Sequence, residues 1–194
     1  EHFKFFLESY CIDKIEINNN DLIVDCGANV GELFYALDLL NHKVKYIGFE
    51  PDPNTFKCLS DNLNESGMLA YEVGLSDKTE EKEFYIDTRG ADSSLVYFGN
   101  QDSISIRTSA LDEYNLDKIK LFKVEAEGHE FEVLMGAEET LQRISYISVD
   151  YGPEKGVNKD TTTADVTNYL FKNNFEMISG SKYRQIGLFK NKLI

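Results

Sequence analysis

DLIVDCGANVGE, residues 21–32, is the stretch that decides the fold of this 194-residue chain. An apolar run leads into Asp25 and then into Gly27 and Gly31, after which apolar residues recur every three or four positions. A short apolar run followed by glycine and then by that spacing is typical of a buried parallel strand that feeds a helix. The stretch therefore predicts a strand, a tight turn and a helix.

The remaining sequence repeats this alternation. Six further apolar segments are expected as strands, namely 43–50, 68–77, 119–126, 144–152, 175–179 and 184–190. Segments 82–87 and 103–108 alternate polar and apolar residues with a period of two, which predicts an antiparallel hairpin. Repeated strand–helix–strand units require right-handed crossovers, so we expect an α/β fold with a doubly wound, mostly parallel sheet.

The chain has the length of one ordinary domain, and no proline- or serine-rich stretch divides it. We therefore expect a single domain over residues 1–194. Within it we expect an N-terminal helical extension at 1–20 and an inserted hairpin and loop at 79–108. The sequence begins at Glu1 rather than at methionine, which leaves open a longer polypeptide with further domains.

The composition excludes some classes of partner. The formal net charge is −14, whereas binding to a phosphate backbone or an anionic membrane needs clustered Lys and Arg. Nucleic acid is therefore not expected as a partner. The chain has three cysteines without metal-ligand spacing and no apolar run that approaches the length of a membrane span. We expect a cytoplasmic protein with reduced thiols and no membrane insertion.

The turn after the first strand has features of a cofactor site. Glycine lets a ligand approach the backbone, and the start of a helix offers unpaired N–H groups. Gly27 and Gly31 flank Asn29, but the G-x-G-x-x-G spacing of a dinucleotide site is absent. Asp25 would repel a pyrophosphate and attract an ammonium group. The simpler alternative is that the glycines only make a tight turn.

Glu50 ends the second predicted strand. In dinucleotide folds, an acidic residue at about this distance from the glycine turn accepts the ribose hydroxyls. An adenosine joined to a positively charged amino-acid moiety is S-adenosylmethionine. We therefore expect Glu50 to bind that cofactor together with Asp25, Gly27, Asn29 and Gly31. The alternative is that Glu50 only caps a strand.

Five segments carry a family resemblance, in the order DLIVDCGANVGE, GFEPDPNTFKCLSDNL, VGLSD, SALDEY and KLFKVEAEGHEFEVLMGAEETL. Together they resemble the FkbM family of S-adenosylmethionine-dependent methyltransferases. The resemblance covers roughly residues 21–151 and implies a Rossmann-like class I methyltransferase fold with a late antiparallel strand. It also implies O-methylation, often of sugar hydroxyls on glycans or glycosylated natural products. It leaves open fusion to, or association with, glycosyltransferase domains.

One position departs from the family pattern. The family usually has Lys, apolar, Asp, Val, Glu, Gly where this chain has KVEAEG at 123–128. The extra methylene of Glu125 moves its carboxylate by about 1.5 Å relative to an aspartate. A role carried over from the family therefore fits Glu127 better than Glu125.

Methyl transfer to a hydroxyl needs a group that removes its proton. Glu125, Glu127 and His129 lie at the exit of one predicted parallel strand, and Asp150 lies at the exit of the next. Ligands of doubly wound folds bind outside the carboxyl ends of the strands, so all four are candidates for catalysis. The alternatives are that His129 caps a helix or faces solvent and that Glu127 accepts N–H bonds from its own loop. Lys123 would orient a carboxylate or join a structural ion pair.

A metal ion is a further possibility at this edge of the sheet. Three carboxylates in one cleft repel one another unless they are protonated, paired or bridged by a cation. A divalent metal such as magnesium prefers oxygen ligands and would fit between Glu125, Glu127 and Asp150. Because oxygen-rich spacing alone is a weak signal, metal dependence stays open.

VGLSD, residues 73–77, is placed to border an adenine ring. Ser76 or Asp77 would accept a hydrogen bond from the exocyclic amine, and Leu75 would lie against the ring. The alternative is a plain strand end.

The loop 89–100 combines glycines, hydroxyls and aromatic rings. Sugars present apolar faces that stack on aromatic rings and hydroxyls that need polar partners. We therefore expect Arg89, Ser93, Ser94 and Tyr97 to contact the acceptor, together with Tyr151 after a later strand. In the alternative, the rings only anchor the loop to the core and Arg89 forms an ion pair.

The combined expectation is an S-adenosylmethionine-dependent O-methyltransferase that acts on a hydroxyl of a sugar or glycan. The alternatives are a methyltransferase for a lipid, a natural product or a protein side chain, a non-catalytic domain of the same fold, and a nicotinamide-dependent oxidoreductase. The missing G-x-G-x-x-G spacing disfavours the oxidoreductase. The set formed by Asp25 and Glu50 weighs against a non-catalytic domain.

Overall fold

Strands and helices alternate along most of the chain in the computed structural model, which describes residues 1–86, 93–99 and 102–194. The described helices are α1 (His2–Ser9), α2 (Glu32–Leu39), α3 (Pro53–Leu63), α4 (Glu130–Met135) and α5 (Thr163–Lys172). The described strands are β1 (Leu22–Cys26), β2 (Lys45–Phe49), β3 (Leu69–Tyr71), β4 (Gly74–Leu75), β5 (Glu81–Ile86), β6 (Asp102–Ser109), β7 (Ile119–Val124), β8 (Ile144–Asp150), β9 (Phe175–Gly180) and β10 (Ile186–Asn191).

A seven-stranded sheet has the order β3-β2-β1-β7-β8-β10-β9. Strands β3, β2, β1, β7 and β8 are parallel, and β10 is antiparallel to both of its neighbours. The predicted α/β class, the doubly wound order and the late antiparallel strand are confirmed. Cys26 pairs with Phe49 on one side and with Val124 on the other. The carboxyl ends of β1, β2 and β7 therefore lie side by side.

Both faces of this sheet are covered. Ile23 belongs to one buried apolar cluster and its neighbour Val24 to another. Successive side chains of a strand point to opposite faces, so each cluster is the core on one face of the sheet. This explains why β1 reads as a continuous apolar run rather than as an alternating one.

The third predicted strand divides into two. Within residues 68–77, β3 is the expected third strand and pairs with β2, whereas the exit of this strand contains a second, unpredicted strand, β4, which pairs with β6. The chain leaves the large sheet at Val73, between these pairings. β5 and β6 are antiparallel, from Glu81 opposite Arg107 to Ile86 opposite Asp102, which confirms the hairpin. With β4 they form a separate three-stranded sheet.

The start of α3 shows how local sequence sets a helix boundary. The Oδ1 atom of Asp52 accepts hydrogen bonds from the backbone N–H groups of Asn54 and Thr55, each at 2.9 Å, and Pro53 occupies the first turn. An aspartate at the N-cap followed by proline at the first helical position is a typical helix start. It fixes the chain direction directly after Glu50.

Helix α1 packs against α2 and is followed by Tyr10 and Cys11, both buried. Cys11, Cys26 and Cys58 are free thiols. Within residues 1–86, 93–99 and 102–194, no helix combines the length and the apolar character needed to cross a membrane.

Candidate functional site

A cavity of about 650 Å³ lies at the carboxyl ends of the parallel strands. Its volume falls within the range of small-molecule sites, and its position is where doubly wound folds bind ligands. The N-terminal segment, the ends of β1, β2 and β7, the β4–β5 region and the β9–β10 connection all contribute to its wall. Seven of the residues predicted for the site line it: Gly27, Asn29, Glu50, Leu75, Ser93, Glu125 and Glu127.

The turn after β1 needs glycine for a reason different from the predicted one. Gly27 has φ of +69°, and a Cβ there would lie 2.0 Å from the carbonyl oxygen of Glu125. The residue is therefore glycine because the backbone at the end of β7 approaches it closely. Gly31 has φ of +92° and precedes α2, where a Cβ would meet Leu59 at 3.1 Å. Gly31 does not line the cavity.

The backbone N–H groups of this turn are already used. Those of Gly27 and Ala28 both donate to the carbonyl oxygen of Phe49 at 3.0 Å, and that of Asn29 donates to Glu50 Oε2 at 2.9 Å. The expectation that the turn offers these N–H groups to a ligand is therefore wrong. This arrangement agrees with the absence of a dinucleotide glycine pattern, because a pyrophosphate would find no free donors on these three residues.

Glu50 follows β2 and lines the cavity with only 7% of its surface exposed. Its Oε2 accepts from Asn29 N and its Oε1 from Asp52 N at 3.0 Å. Burial raises the pKa of Glu50 to about 7, although these two hydrogen bonds favour the charged form. Each carboxylate oxygen has two acceptor positions. A ligand with two neighbouring hydroxyls can therefore be bound here.

An apolar part of the wall lies beside Glu50. A Cβ on Gly74 would lie 3.5 Å from Leu95 and 3.6 Å from Pro51, so these three residues are neighbours. Leu75 and Phe84 also line this part. A flat apolar ring such as adenine fits between such side chains.

Ser76 and Asp77 are not part of that wall. Ser76 is fully buried, and its hydroxyl contacts His129 Nε2 at 2.9 Å, Asp77 Oδ1 at 3.1 Å and Lys82 Nζ at 3.2 Å. None of these four residues lines the cavity. The prediction that Ser76 or Asp77 contacts adenine is contradicted by this placement, while Leu75 lies where expected.

His129 is likewise directed away from the cavity. It is 8% exposed, and its second ring nitrogen lies 3.7 Å from Glu132 Oε2. Burial lowers the pKa of His129 to about 4. The imidazole is a partner of Ser76 in the interior, so its predicted role as a base on the acceptor is not supported by the geometry.

A chain of ion pairs runs beneath and beside the cavity. Asp25 is 1% exposed, and its oxygens accept from Tyr46 Oη at 2.6 Å and Lys123 Nζ at 3.0 Å. Lys123 also lies 3.1 Å from Glu125 Oε2. Asp25 does not line the cavity. Its predicted direct contact with the ammonium group of a cofactor is contradicted, because its carboxylate orients Lys123 instead.

Arg184 extends this series of ion pairs. Its Nη2 lies 2.6 Å from Glu125 Oε1 and 2.8 Å from Asp150 Oδ2, and its Nη1 donates to Tyr10 Oη at 2.7 Å. Burial opposes the charged form of Glu125, but the positive charges of Lys123 and Arg184 outweigh it and keep the pKa of Glu125 below its usual value. Glu125 is therefore a fixed anion and a weak base. Burial raises the pKa of Asp150, which does not line the cavity.

Glu127 lines the cavity from a tight loop between β7 and α4. Its φ is +49°, and its carbonyl oxygen accepts from Ser94 Oγ at 2.7 Å. The buried Glu130 side chain holds this loop through the N–H groups of Ala126 and Gly128 and through the Thr162 hydroxyl. The loop that carries Glu127 is therefore held by side-chain hydrogen bonds on both sides of this residue.

The predicted acceptor contacts are only partly brought together. Ser93 lines the cavity, whereas Ser94 is 1% exposed and supports the Glu127 loop. Tyr97 packs edge-on against Tyr85 with ring centroids 5.1 Å apart, and Tyr151 is buried next to Gly187. Neither tyrosine lines the cavity. Arg89 lies outside the described residues.

The predicted metal site is not supported. No group of three or more His, Cys, Asp and Glu side chains suited to a metal occurs among the residues that the structure describes. The repulsion between Glu125 and Asp150 that suggested a metal is relieved by Arg184.

The lining residues that were not predicted include Phe6, Tyr10 and Arg184. Phe6 and Tyr10 come from the N-terminal segment, which the apolar pattern describes only as a helix. The position of Arg184 at the site could have been inferred from the sequence. It precedes a strand expected to be antiparallel, and such a strand begins at the edge of the sheet where the parallel strands end. Ile186 indeed pairs with Asp150.

Comparison with known proteins gives one family. The model of the methyltransferase FkbM domain matches residues 25–177. The methyltransferase sdnD of Sordaria araneosa is 29% identical, over 71% of this chain and 68% of that protein. The hexuronic acid methyltransferase AglP of Haloferax volcanii is 28% identical, over 70% of this chain and 57% of that protein.

A third curated relative and a solved structure are also similar to this chain. The 2-O-methyltransferase NoeI of Sinorhizobium fredii is 24% identical, over 69% of this chain and 64% of that protein. The chain thus spans between about half and two thirds of these curated relatives. The crystal structure of methyltransferase FkbM from Methylobacillus flagellatus has a TM-score of 0.65 at 16% identity, covering 91% of this chain and 44% of that one. It shows the expected Rossmann-like class I fold.

Proposed function

The chain belongs to the FkbM family of methyltransferases, and from this premise we propose that it is an S-adenosylmethionine-dependent O-methyltransferase that acts on a hydroxyl of a sugar or glycan. The observation that carries the proposal is the cavity that both Glu50 and Glu127 line. Glu50 follows β2 and Glu127 lies in the loop after β7, and these two strands flank β1 in the sheet. Glu50 would bind the donor and Glu127 would act on the acceptor.

The residues at one end of the cavity fit the adenosine part of the donor. Glu50 has acceptor positions left after its two backbone hydrogen bonds, and a ribose has two hydroxyls to donate. The apolar wall formed by Leu75, Leu95 and Pro51 lies next to it and suits adenine. The wall is therefore apolar where a ring would lie and acidic where hydroxyls would lie.

The charge of the cavity fits a cationic donor. S-adenosylmethionine supplies an electrophilic methyl group on a positively charged sulfur. Glu125 is kept ionised by Lys123 and Arg184 and lines the cavity beside Gly27. A permanently charged carboxylate attracts a cation without first losing a proton. We assign to Glu125 this electrostatic role rather than proton removal.

Glu127 is our candidate for the base. An alcohol must lose its proton as the methyl group is transferred, and a carboxylate within hydrogen-bond reach can accept it. The aromatic rings of Phe6 and Tyr10 and the hydroxyl of Ser93 line the cavity as well. Rings and hydroxyls are the groups that sugars contact. One relative is named for hexuronic acid and another for 2-O-methylation, and these names support a sugar and an oxygen, respectively, as features of the acceptor.

The division of roles between Glu50 and Glu127 can be tested with two variants. We expect Glu50→Ala to weaken binding of S-adenosylhomocysteine by about 30-fold or more, because a charged hydrogen bond contributes roughly 1.5–3 kcal/mol. We expect Glu127→Gln to leave binding nearly unchanged and to slow methyl transfer by about 100-fold or more. Calorimetry measures the binding, and transfer of a labelled methyl group to a panel of glycans measures the turnover.

Glu65→Ala and Glu138→Gln are matched controls, since both side chains are exposed and lie outside the cavity. Normal methyl transfer by Glu127→Gln would refute the assigned base. If the unaltered protein bound NAD in preference to S-adenosylhomocysteine, the methyltransferase proposal itself would fail.

A further inference from the structure

The charged groups around the cavity are mostly acidic. Among the described residues, its lining contains five carboxylates and one guanidinium. The carboxylates belong to Glu32, Glu50, Asp52, Glu125 and Glu127, and the guanidinium belongs to Arg184. The surrounding protein adds to this imbalance, because the whole chain has a net charge of −14. A ligand that enters the cavity therefore meets a negative potential.

Arg184 does not offset this potential for an incoming anion. Its guanidinium is held between the carboxylates of Glu125 and Asp150, at 2.6 and 2.8 Å, and also donates to Tyr10. One positive charge is thus shared by two negative ones. A carboxylate on an acceptor would have to displace one of these protein carboxylates to form a bidentate pair with Arg184.

Lys123 offers no compensation either. It is 2% exposed, does not line the cavity, and is bound by Asp25 at 3.0 Å and Glu125 at 3.1 Å. Residues 87–92 lie outside the described part of the chain. Their sequence contains one arginine, Arg89, and two aspartates, so their composition adds no net positive charge.

From this charge distribution we propose that the acceptor is a sugar without a carboxylate on the ring that is methylated, namely a neutral sugar or an amino sugar. This inference rests on the proposed function. The carboxylate of a uronate would lose its hydration water in an acidic cavity and would be repelled there by charges of the same sign. An ammonium group on the sugar would be attracted by the same carboxylates. Neutral and amino sugars are therefore accepted and uronates are discriminated against.

The test uses three tetrasaccharides of equal length, built from glucose, glucosamine and glucuronate units. We expect kcat/KM for the glucose and glucosamine acceptors to exceed that for the glucuronate acceptor by at least about tenfold at low salt. Higher ionic strength should narrow the difference, because it screens charges near the cavity mouth.

Glu32→Gln provides an independent check. The Glu32 side chain is 37% exposed and lines the cavity, and Glu32 is outside the proposed catalytic machinery. Removal of its charge should raise the rate with glucuronate relative to glucose by about threefold, whereas the matched control Glu65→Gln should leave the ratio unchanged. Methyl transfer to glucuronate at or above the rate of the neutral acceptor would overturn the inference alone. No transfer to any of the three, with intact binding of S-adenosylhomocysteine, would overturn the proposed sugar acceptor.

Discussion

At the scale of single residues, Glu50 shows how the fold prepares a functional group. The carboxylate is almost fully buried, and within the part of the chain that the structure describes each of its oxygens accepts one backbone N–H. Burial favours the protonated form, and this raises its pKa to about 7. Two hydroxyl donors of a ribose would stabilise the charged form in place of water. Donor binding and ionisation of Glu50 should therefore be linked.

This linkage predicts a pH dependence of binding. With a pKa of about 7 in the free protein, Glu50 is mostly charged at pH 8 and mostly protonated at pH 6. The charged form is the one that accepts two hydroxyls, so the dissociation constant of S-adenosylhomocysteine should rise by about tenfold as the pH falls from about 8 to about 6. Calorimetric titrations at several pH values in this window measure the effect.

Glu50→Gln is the control for that experiment, because an amide does not titrate. Its affinity should be low and nearly independent of pH. A wild-type affinity that stays constant between pH 6 and 8 would show that Glu50 is already charged in the free protein or does not contact the ligand.

At the scale of secondary structure elements, the approach of β1 to β7 is controlled by Gly27. A side chain there would collide with the Glu125 carbonyl at 2.0 Å. We expect Gly27→Ala to lower the free energy of unfolding by more than about 3 kcal/mol, because backbone strain is added to a backbone collision. Urea denaturation measures this change.

A substitution at Gly67 distinguishes the cost of backbone strain from the cost of the collision with the Glu125 carbonyl. It has φ of +73°, close to the +69° of Gly27, but a Cβ there would meet no atom within 4 Å. Gly67→Ala should therefore cost only the strain of a left-handed conformation, about 1–2 kcal/mol. Equal losses in the two variants would mean that the turn after β1 can shift away from β7 at little cost.

The same elements show what the sequence could and could not predict. Strands β1, β2, β7 and β8 and the cap of α3 follow from local rules, since apolar runs, Asp52 and Pro53 act within a few residues. The positions of Glu50 and Glu127 at strand ends were predictable in the same way. The direction of the Asp25 side chain was not, because successive side chains of a strand point to opposite faces, and the direction of His129 was not, because a contact with the distant Ser76 holds it. Position at a strand end does not by itself place a side chain in the cavity.

At the scale of the whole molecule, Arg184 and Tyr10 join the two ends of the chain at the site. They are 174 residues apart in sequence and 2.7 Å apart at Nη1 and Oη. Arg184 also links the end of β7, through Glu125, to the end of β8, through Asp150. A contact of this range follows from the sheet order and not from any local pattern. It is therefore the part of the site that sequence reasoning missed.

The network predicts that Arg184→Ala makes stability depend on pH. Without the guanidinium, the pKa of Glu125 in the folded protein should rise from its lowered value, and that of Asp150, which burial already raises, should rise further. A carboxyl group whose pKa is raised by folding costs stability once the pH exceeds its unfolded value. The loss relative to wild type should thus be small at pH 4 and grow toward pH 8.

We expect the loss at pH 8 to be about 2 kcal/mol, below the 3–5 kcal/mol of a fully buried pair, because the Arg184 side chain is 38% exposed. Denaturant titrations at pH 5 and pH 8 measure it. Arg143→Ala is the matched control, since that arginine is exposed and has one long hydrogen bond, at 3.4 Å to Thr140. A loss for Arg184→Ala that is equal at both pH values would assign to Arg184 only a packing role against Tyr10, because packing does not titrate. A loss that grows with pH would show that Arg184 holds the carboxylates of β7 and β8 together in their charged forms.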